Sequence, residues 1–176
     1  MAVISLEEAK LYLKVDTTDD DVLITSLITV AESTVEKLTG RKLLTSDFAY
    51  VLGIPHDPIL IPFCPLQEIT KIETVAIDGT TTEVDPAIYV VDISQDQMGR
   101  IWLKPGCSWP AHRGFASFII TGKAGYGADA SAVPAPLKTA ILIALAFLYE
   151  NRGKVESQAL LDSISALCWP YRIVEL

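Results

Sequence analysis

Apolar residues step by threes and fours through the second tenth of the chain. Ile24, Leu27, Ile28, Ala31, Val35 and Leu38 form one buried stripe, with Glu32, Glu36 and Lys37 on the wet side, which predicts a helix to about Thr39. Gly40 supplies the left-handed position that ends it, and Arg41 and Lys42 sit at the negative end of its dipole. A shorter helix precedes it. Ser5-Leu6-Glu7-Glu8 has capping-box form, with Leu6, Ala9 and Leu13 facing inward. Between them "DTTDDD", Asp16 to Asp21, offers acceptors for the free N–H groups of the second helix.

The texture changes after Leu44. From Phe48 to about Lys123 the chain is rich in β-branched residues, prolines and turn signals. "ITKIETVAIDGTTTEVDPAIYVVD" predicts a hairpin: Ile69, Ile72, Val75 and Ile77, a turn at Asp78-Gly79, then Val84 and Ile88 to Val91. Further strands are expected at Phe48–Leu52, Arg100–Leu103 and Phe115–Thr121, with prolines at the edges and in loops. Helix resumes at "VPAPLKTAILIALAFLYENRG", opened by Pro134 and Pro136 and closed by Gly153. No residue from Ala140 to Leu148 is polar, so this helix is expected to be covered on every side. A last amphipathic helix spans about Glu156–Leu167, with Leu160, Leu161, Ile164 and Leu167 inward.

The fold class is therefore α+β: a helical bundle of two N-terminal and two C-terminal helices, with an inserted antiparallel β-rich segment. The expected divisions are an N-terminal helical pair (residues 1–46), a β-rich insertion (47–124), C-terminal helices completing the bundle (125–168) and a docking segment (169–176).

Composition narrows the function. Half of the 176 residues are hydrophobic and mean hydropathy is +0.35. Either a well-filled core or apolar surface buried between subunits accounts for this. Fourteen Lys and Arg face 22 Asp and Glu, a net charge of −8, which argues against tight nucleic-acid binding. Three separated cysteines, Cys64, Cys107 and Cys168, make no disulfide framework and point to a reducing compartment. The opening MAVISLEEAK has no signal-peptide pattern, and the apolar run Ala140–Tyr149 is half of a membrane span, so a soluble protein is expected.

Candidate chemistry is sparse. "DTTDDD" lacks the mid-loop glycine and closing glutamate of a calcium loop, and reads as a helix start. "GKAGYG", Gly122 to Gly127, has its lysine too early for a phosphate-binding loop and reads as a turn leaving a strand. His56 and His112 show no metal-ligand spacing. No nucleophile motif appears, so no catalytic, metal or cofactor residue is assigned. The closing "CWPYRIVEL" is different. Trp, Tyr and Arg are enriched at interface hot spots, and Pro170 ends the preceding helix. Trp169, Pro170, Tyr171 and Arg172 either fold over their own subunit or dock on a partner, with Arg172-Ile173-Val174 alternating like an added strand.

Three stretches together resemble the head–tail connector (adaptor) proteins of tailed bacteriophages and gene-transfer agents: "LEEAKLYLKVDTTDDDVLITSLITVAESTVEKLTGRKL", "AGYGADASAVPAPLKTAILIALAFLYENRG" and "SISALCWPYRIVEL". They cover about half of the chain, in the family's order. The resemblance implies a virion structural protein without catalysis or cofactor, located in the neck and in host cytoplasm during assembly. It implies a ring, dodecameric by that likeness, beneath the portal protein. That ring extends the DNA channel and offers the attachment site for a stopper or tail-completion protein. The free subunit is expected to be monomeric, with no specific nucleic-acid or membrane binding. The matching positions Trp169, Pro170, Tyr171 and Arg172 are where portal docking is expected. Compact members join their helical pairs by a short loop, so the β-rich insertion is a departure from them, and the resemblance implies that longer members carry a comparable insertion. The alternative is a soluble, non-viral binding or regulatory module with no catalytic activity.

Overall fold

A computed structural model describes residues 2–93, 98–151 and 157–173. The chain divides into two compact units, Met1–Leu44 with Tyr126–Leu176, and Thr45–Gly125. The first is helical: α1 (Leu6–Leu13), α2 (Asp21–Thr39), α3 (Ala135–Glu150) and α4 (Ser157–Cys168). Its core is one apolar cluster. Ile24, Ile28, Ala31 and Val35 of α2 meet Leu137, Ala140, Ile141, Ala144, Leu145 and Leu148 of α3, and Leu160, Ile164 and Cys168 of α4. No helix among the described residues is long and apolar enough to cross a membrane.

The start of α1 and the end of α2 follow local chemistry. The Ser5 hydroxyl accepts from the Glu8 N–H at 3.1 Å, and Gly40 takes φ 71° at the end of α2. At the start of α2, however, Asp20 makes no side-chain cap bond. Its carboxylate instead accepts from the Tyr149 hydroxyl at 2.6 Å, pinning α3 to the α1–α2 connection. Asp21 pairs with Lys10 of α1 at 2.6 Å. Tertiary partners have taken the acceptors that the acidic run was expected to spend on its own helix. On α3, Leu142, Ile143, Ala146 and Phe147 are only half-buried, so the expected cover on every side is incomplete in the single chain. The expected stop at Gly153 and the start of the last helix at Glu156 lie outside the described residues.

Glu32, expected on the wet face, is half-buried and holds the N-terminal segment. Its Oε1 accepts from the Val3 N–H at 2.6 Å and the Ile4 N–H at 3.2 Å. Burial outweighs these bonds and raises its pKa above the ordinary value.

The second unit has two antiparallel sheets. One orders β1 (Ser46–Leu52), β7 (Phe118–Ala124), β3 (Leu66–Val75) and β4 (Thr81–Glu83) as β1-β7-β3-β4. The other orders β2 (Ile59–Ile61), β6 (Gly99–Leu103) and β5 (Tyr89–Asp92) as β2-β6-β5. Leu66, Ile72, Phe118 and Ile120 from the first sheet share one core with Ile59, Ile61 and Ile101 from the second. Alternation along β7, buried at Phe118, Ile120, Gly122 and Ala124, faces one side of the sheet to that core.

Gly122 is required by its neighbours. A Cβ there would strike the Glu68 carbonyl oxygen and the Phe48 ring. Phe48 lies opposite Gly122 in the ladder and stacks on Phe63 with ring centroids 4.5 Å apart, so an aromatic side chain covers the glycine.

Three strand expectations are corrected. The hairpin stops at β4; Ile88 closes a 3-10 turn (Pro86–Ile88), and Tyr89–Asp92 pairs with β6 in the other sheet. Ile77 lies in the turn and is 90 % exposed, not a strand residue. The last strand begins at Phe118 rather than Phe115, because Ala116 takes a left-handed φ of 41° that a ladder does not accommodate. Strand β2, three residues between Pro58 and Pro62, is too short to register as a pattern.

Two predictions follow from these contacts. Folding favours the protonated form of Glu32, so its contribution is fully present below the ordinary pKa of 4.5 and is lost as pH rises through the raised value. Urea titrations of wild type and Glu32→Gln should show wild-type stability declining relative to the variant from about pH 4 to neutrality; a constant difference would contradict this. Gly122→Ala should destabilise by about 1–3 kcal/mol through overpacking, read as a melting temperature lower by several degrees.

Candidate docking surface

The terminal segment is built by α4 and by the end of α2. Pro170 cannot continue α4, and Trp169–Tyr171 forms a 3-10 turn whose Arg172 N–H donates to the Trp169 carbonyl at 3.2 Å. The segment then divides by side chain. Tyr171 packs against the helical core, and its carbonyl accepts from Nε of the buried Arg41. The Ile173 N–H donates to the Thr39 carbonyl at 2.9 Å, and the Ile173 Cβ lies 3.5 Å from where a Cβ on Gly40 would stand. Trp169 faces the other way and is 70 % exposed, with the Arg172 guanidinium 5.9 Å from its ring centroid.

The segment's residues thus differ in burial. Tyr171 and Ile173 strap the chain to its own helix end, while Trp169 and Arg172 form an exposed aromatic–cation pair. Val174, the last residue of the expected strand, lies outside the described residues. Arg41 is the residue that sequence reasoning assigned to the helix dipole and that the fold uses as a hook; a lone arginine after a helix-ending glycine carries no signal for such a distant partner.

The other candidates have structural partners. His112 packs edge-on against Phe118 at 5.1 Å with Nδ1 2.8 Å from the Pro110 carbonyl, and His56 is exposed in a loop. "GKAGYG" runs out of β7 into a turn at Gly125, φ 134°. Burial pushes the Cys168 thiol up to about 11, which leaves it protonated and unreactive at neutral pH. Among the described residues no three His, Cys, Asp or Glu side chains gather where a metal could sit.

The described residues thus leave an exposed Trp169–Arg172 pair on a segment strapped to the helical unit. The model of the phage gp6-like head–tail connector proteins matches residues 3–97. The chain belongs to this family. Its role is that of a connector between head and tail. The match covers α1, α2 and more than half of the β unit. No curated protein sequence matches. Solved chains with the same fold come from particles of a gene transfer agent (GTA). One is from the neck of an empty GTA particle computed with C6 symmetry, with TM-score 0.84 and 24% identity over 99% of this chain and 91% of that one. Another is from the virion of a native GTA particle, with TM-score 0.81 and 23% identity over the same shares. A third is from the neck of a native GTA particle computed with C12 symmetry, with TM-score 0.79 and 22% identity, again over 99% and 91%. The β unit is therefore part of a fold that these chains share along nearly their whole length, not an addition peculiar to this connector.

Proposed function

We propose that this connector acts in the virion neck as a ring beneath the portal, extends the DNA channel, and receives a stopper or tail-completion protein on its far side. It does so without catalysis. The observation that carries the portal contact is Trp169, 70 % exposed on a segment whose neighbours Tyr171 and Ile173 are tied down. An exposed indole held on a rigid turn loses little conformational freedom on binding, and the adjacent Arg172 brings a charge that carbonyl or carboxylate partners can accept. Pro170 restricts the turn and Tyr171 anchors it, so Trp169, Pro170, Tyr171 and Arg172 act as one device with two faces. The similar chains come from particle necks computed with C6 and C12 symmetry, which supports a ring. A ring of this kind joins unlike faces head to tail, and the half-buried apolar side of α3 is available to such a contact. A net charge of −8 suits a conduit, since fixed anions repel phosphates rather than hold them. Assembly would begin in host cytoplasm.

Because Tyr171 and Ile173 contribute to the fold, deleting the whole segment would confound docking with stability. Trp169→Ala with Arg172→Ala separates them. This pair should leave the melting temperature within about a degree, since exposed substitutions rarely move stability, and should abolish capture by purified portal in a pull-down; full retention of capture would sink the portal assignment. Binding of the wild type to duplex DNA at physiological salt should stay undetectable by fluorescence anisotropy, and sub-micromolar affinity would overturn the conduit.

A further inference from the structure

The β unit carries an apolar tip that the portal reading does not use. The chain enters and leaves this unit beside Ser46 and Ala124, which face each other in the β1–β7 ladder. At the other end of that ladder, roughly 20 Å away for a seven-residue strand, Leu52 and Thr74 both flank Phe118. Three loops meet there. The Arg113 N–H donates to the Val75 carbonyl at 2.9 Å, the Val75 N–H to the Ser117 carbonyl at 2.8 Å, and the Ser117 N–H to the Leu52 carbonyl at 2.9 Å. The Ser117 hydroxyl donates to the Gly53 carbonyl. Each laced loop displays one large apolar side chain: Ile54 is 61 % exposed, Ile77 90 % and Phe115 70 %.

The display is constructed rather than incidental. Ala116 holds a left-handed φ of 41°, a strained conformation for a residue with a side chain. Arg113 maintains it. Its guanidinium donates to the Phe115 and Ala116 carbonyls at 2.8 and 2.9 Å and lies 4.9 Å from the Phe115 ring centroid, so this cation is used inside the loop. Exposed carboxylates follow the apolar residues in the chain: Asp78 next to Ile77, and Asp57 three residues after Ile54, its Oδ1 accepting from the Leu103 N–H at 3.4 Å. Bonds from Thr80 keep Asp78 ionised, its pKa below the ordinary carboxylate value.

We propose that this tip is a second protein-docking surface, which seats Ile54, Ile77 and Phe115 in an apolar socket rimmed by basic side chains on another protein of the particle. Charge decides the occupant. The β unit holds nine acidic against five basic residues, and the whole chain is −8. The acidic β unit of a second copy, or an anionic lipid surface, would therefore bring like charge against Asp57 and Asp78. A basic rim on a different protein complements them.

The proposal rests on the connector role, and its test keeps the two readings apart. Full-length wild type and the Ile77→Ser/Phe115→Ser variant are each titrated against purified portal, stopper and major shell protein of the same particle. Expected is a variant that melts with wild type and is captured by portal, but loses at least about tenfold in affinity for stopper or shell protein. Asp57→Asn/Asp78→Asn keeps the acceptor oxygens, and should weaken the same complex most at low salt. The proposal is overturned if wild type binds neither stopper nor shell protein, or if the apolar variant binds both as well as wild type. It is equally overturned if the losses fall on self-association or on phosphatidylserine vesicles, or if removing the two charges leaves affinity and salt dependence unchanged. Portal capture reads the terminal segment and the other arms read the tip, so the two readings fail separately.

Discussion

The pairing of β1 with β7 is the constraint on which the architecture depends. These are the first and last strands of the β unit, and their antiparallel register sets Ser46 against Ala124. An isolated parallel bridge between Leu44 and Gly127, and a bond from the Tyr126 N–H to the Leu43 carbonyl, carry the closure one step further into the helical unit. The ends of an 81-residue excursion, Thr45 to Gly125, therefore emerge side by side. Helices α2 and α3 can pack as though a short loop joined them. Loop-closure entropy grows only slowly with length, and a folded insertion with adjacent ends adds little of it.

That ladder also explains why the unit presents a tip. At one end of the ladder β1 and β7 carry the links to the helices, and the laced loops lie at its other end. Gly122 with Phe48, and the glycine at 99 beneath Leu66, bring the strands and sheets close enough for one small core. A compact core holds loop ends rigidly. Rigid ends make strained displays such as Ala116–Phe115 affordable.

The helical unit handles its terminal segment in a comparable way. Arg41, Thr39 and Gly40 sit where α2 must end, and the unsatisfied carbonyls and the open space beside Gly40 are what the returning segment fills. The segment thus completes one helix end while leaving Trp169 outside. Burial and exposure fall on different residues of this segment, Tyr171 and Ile173 inward and Trp169 and Arg172 outward, a division that a proline-stiffened 3-10 turn supports because its side chains point apart.

Elements whose stability is local were legible in the sequence: the Ser5 cap, the periodic face of α2, the Gly40 stop, the turn at Asp78-Gly79, and the strand Phe48–Leu52 within β1. Each depends on residues within a turn or two of one another, and so does the order helix, strand, helix that makes the chain α+β. Residue type singled out Trp169–Arg172 as a candidate segment but did not tell the exposed Trp169 from the core-packed Tyr171. What tertiary structure alone decided involves partners far apart in the chain. Examples are Asp20 turned to Tyr149, Glu32 to Val3 and Ile4, Arg41 to Tyr171, and Tyr89–Asp92 to β6 instead of the hairpin. The tip is the same case, since Ile54, Ile77 and Phe115 lie in separate loops and only the ladder brings them to one end. Short-range preferences select the elements; which polar group finds which acceptor, and which apolar side chains are left without cover, depends on contacts that exist only once the chain has closed on itself.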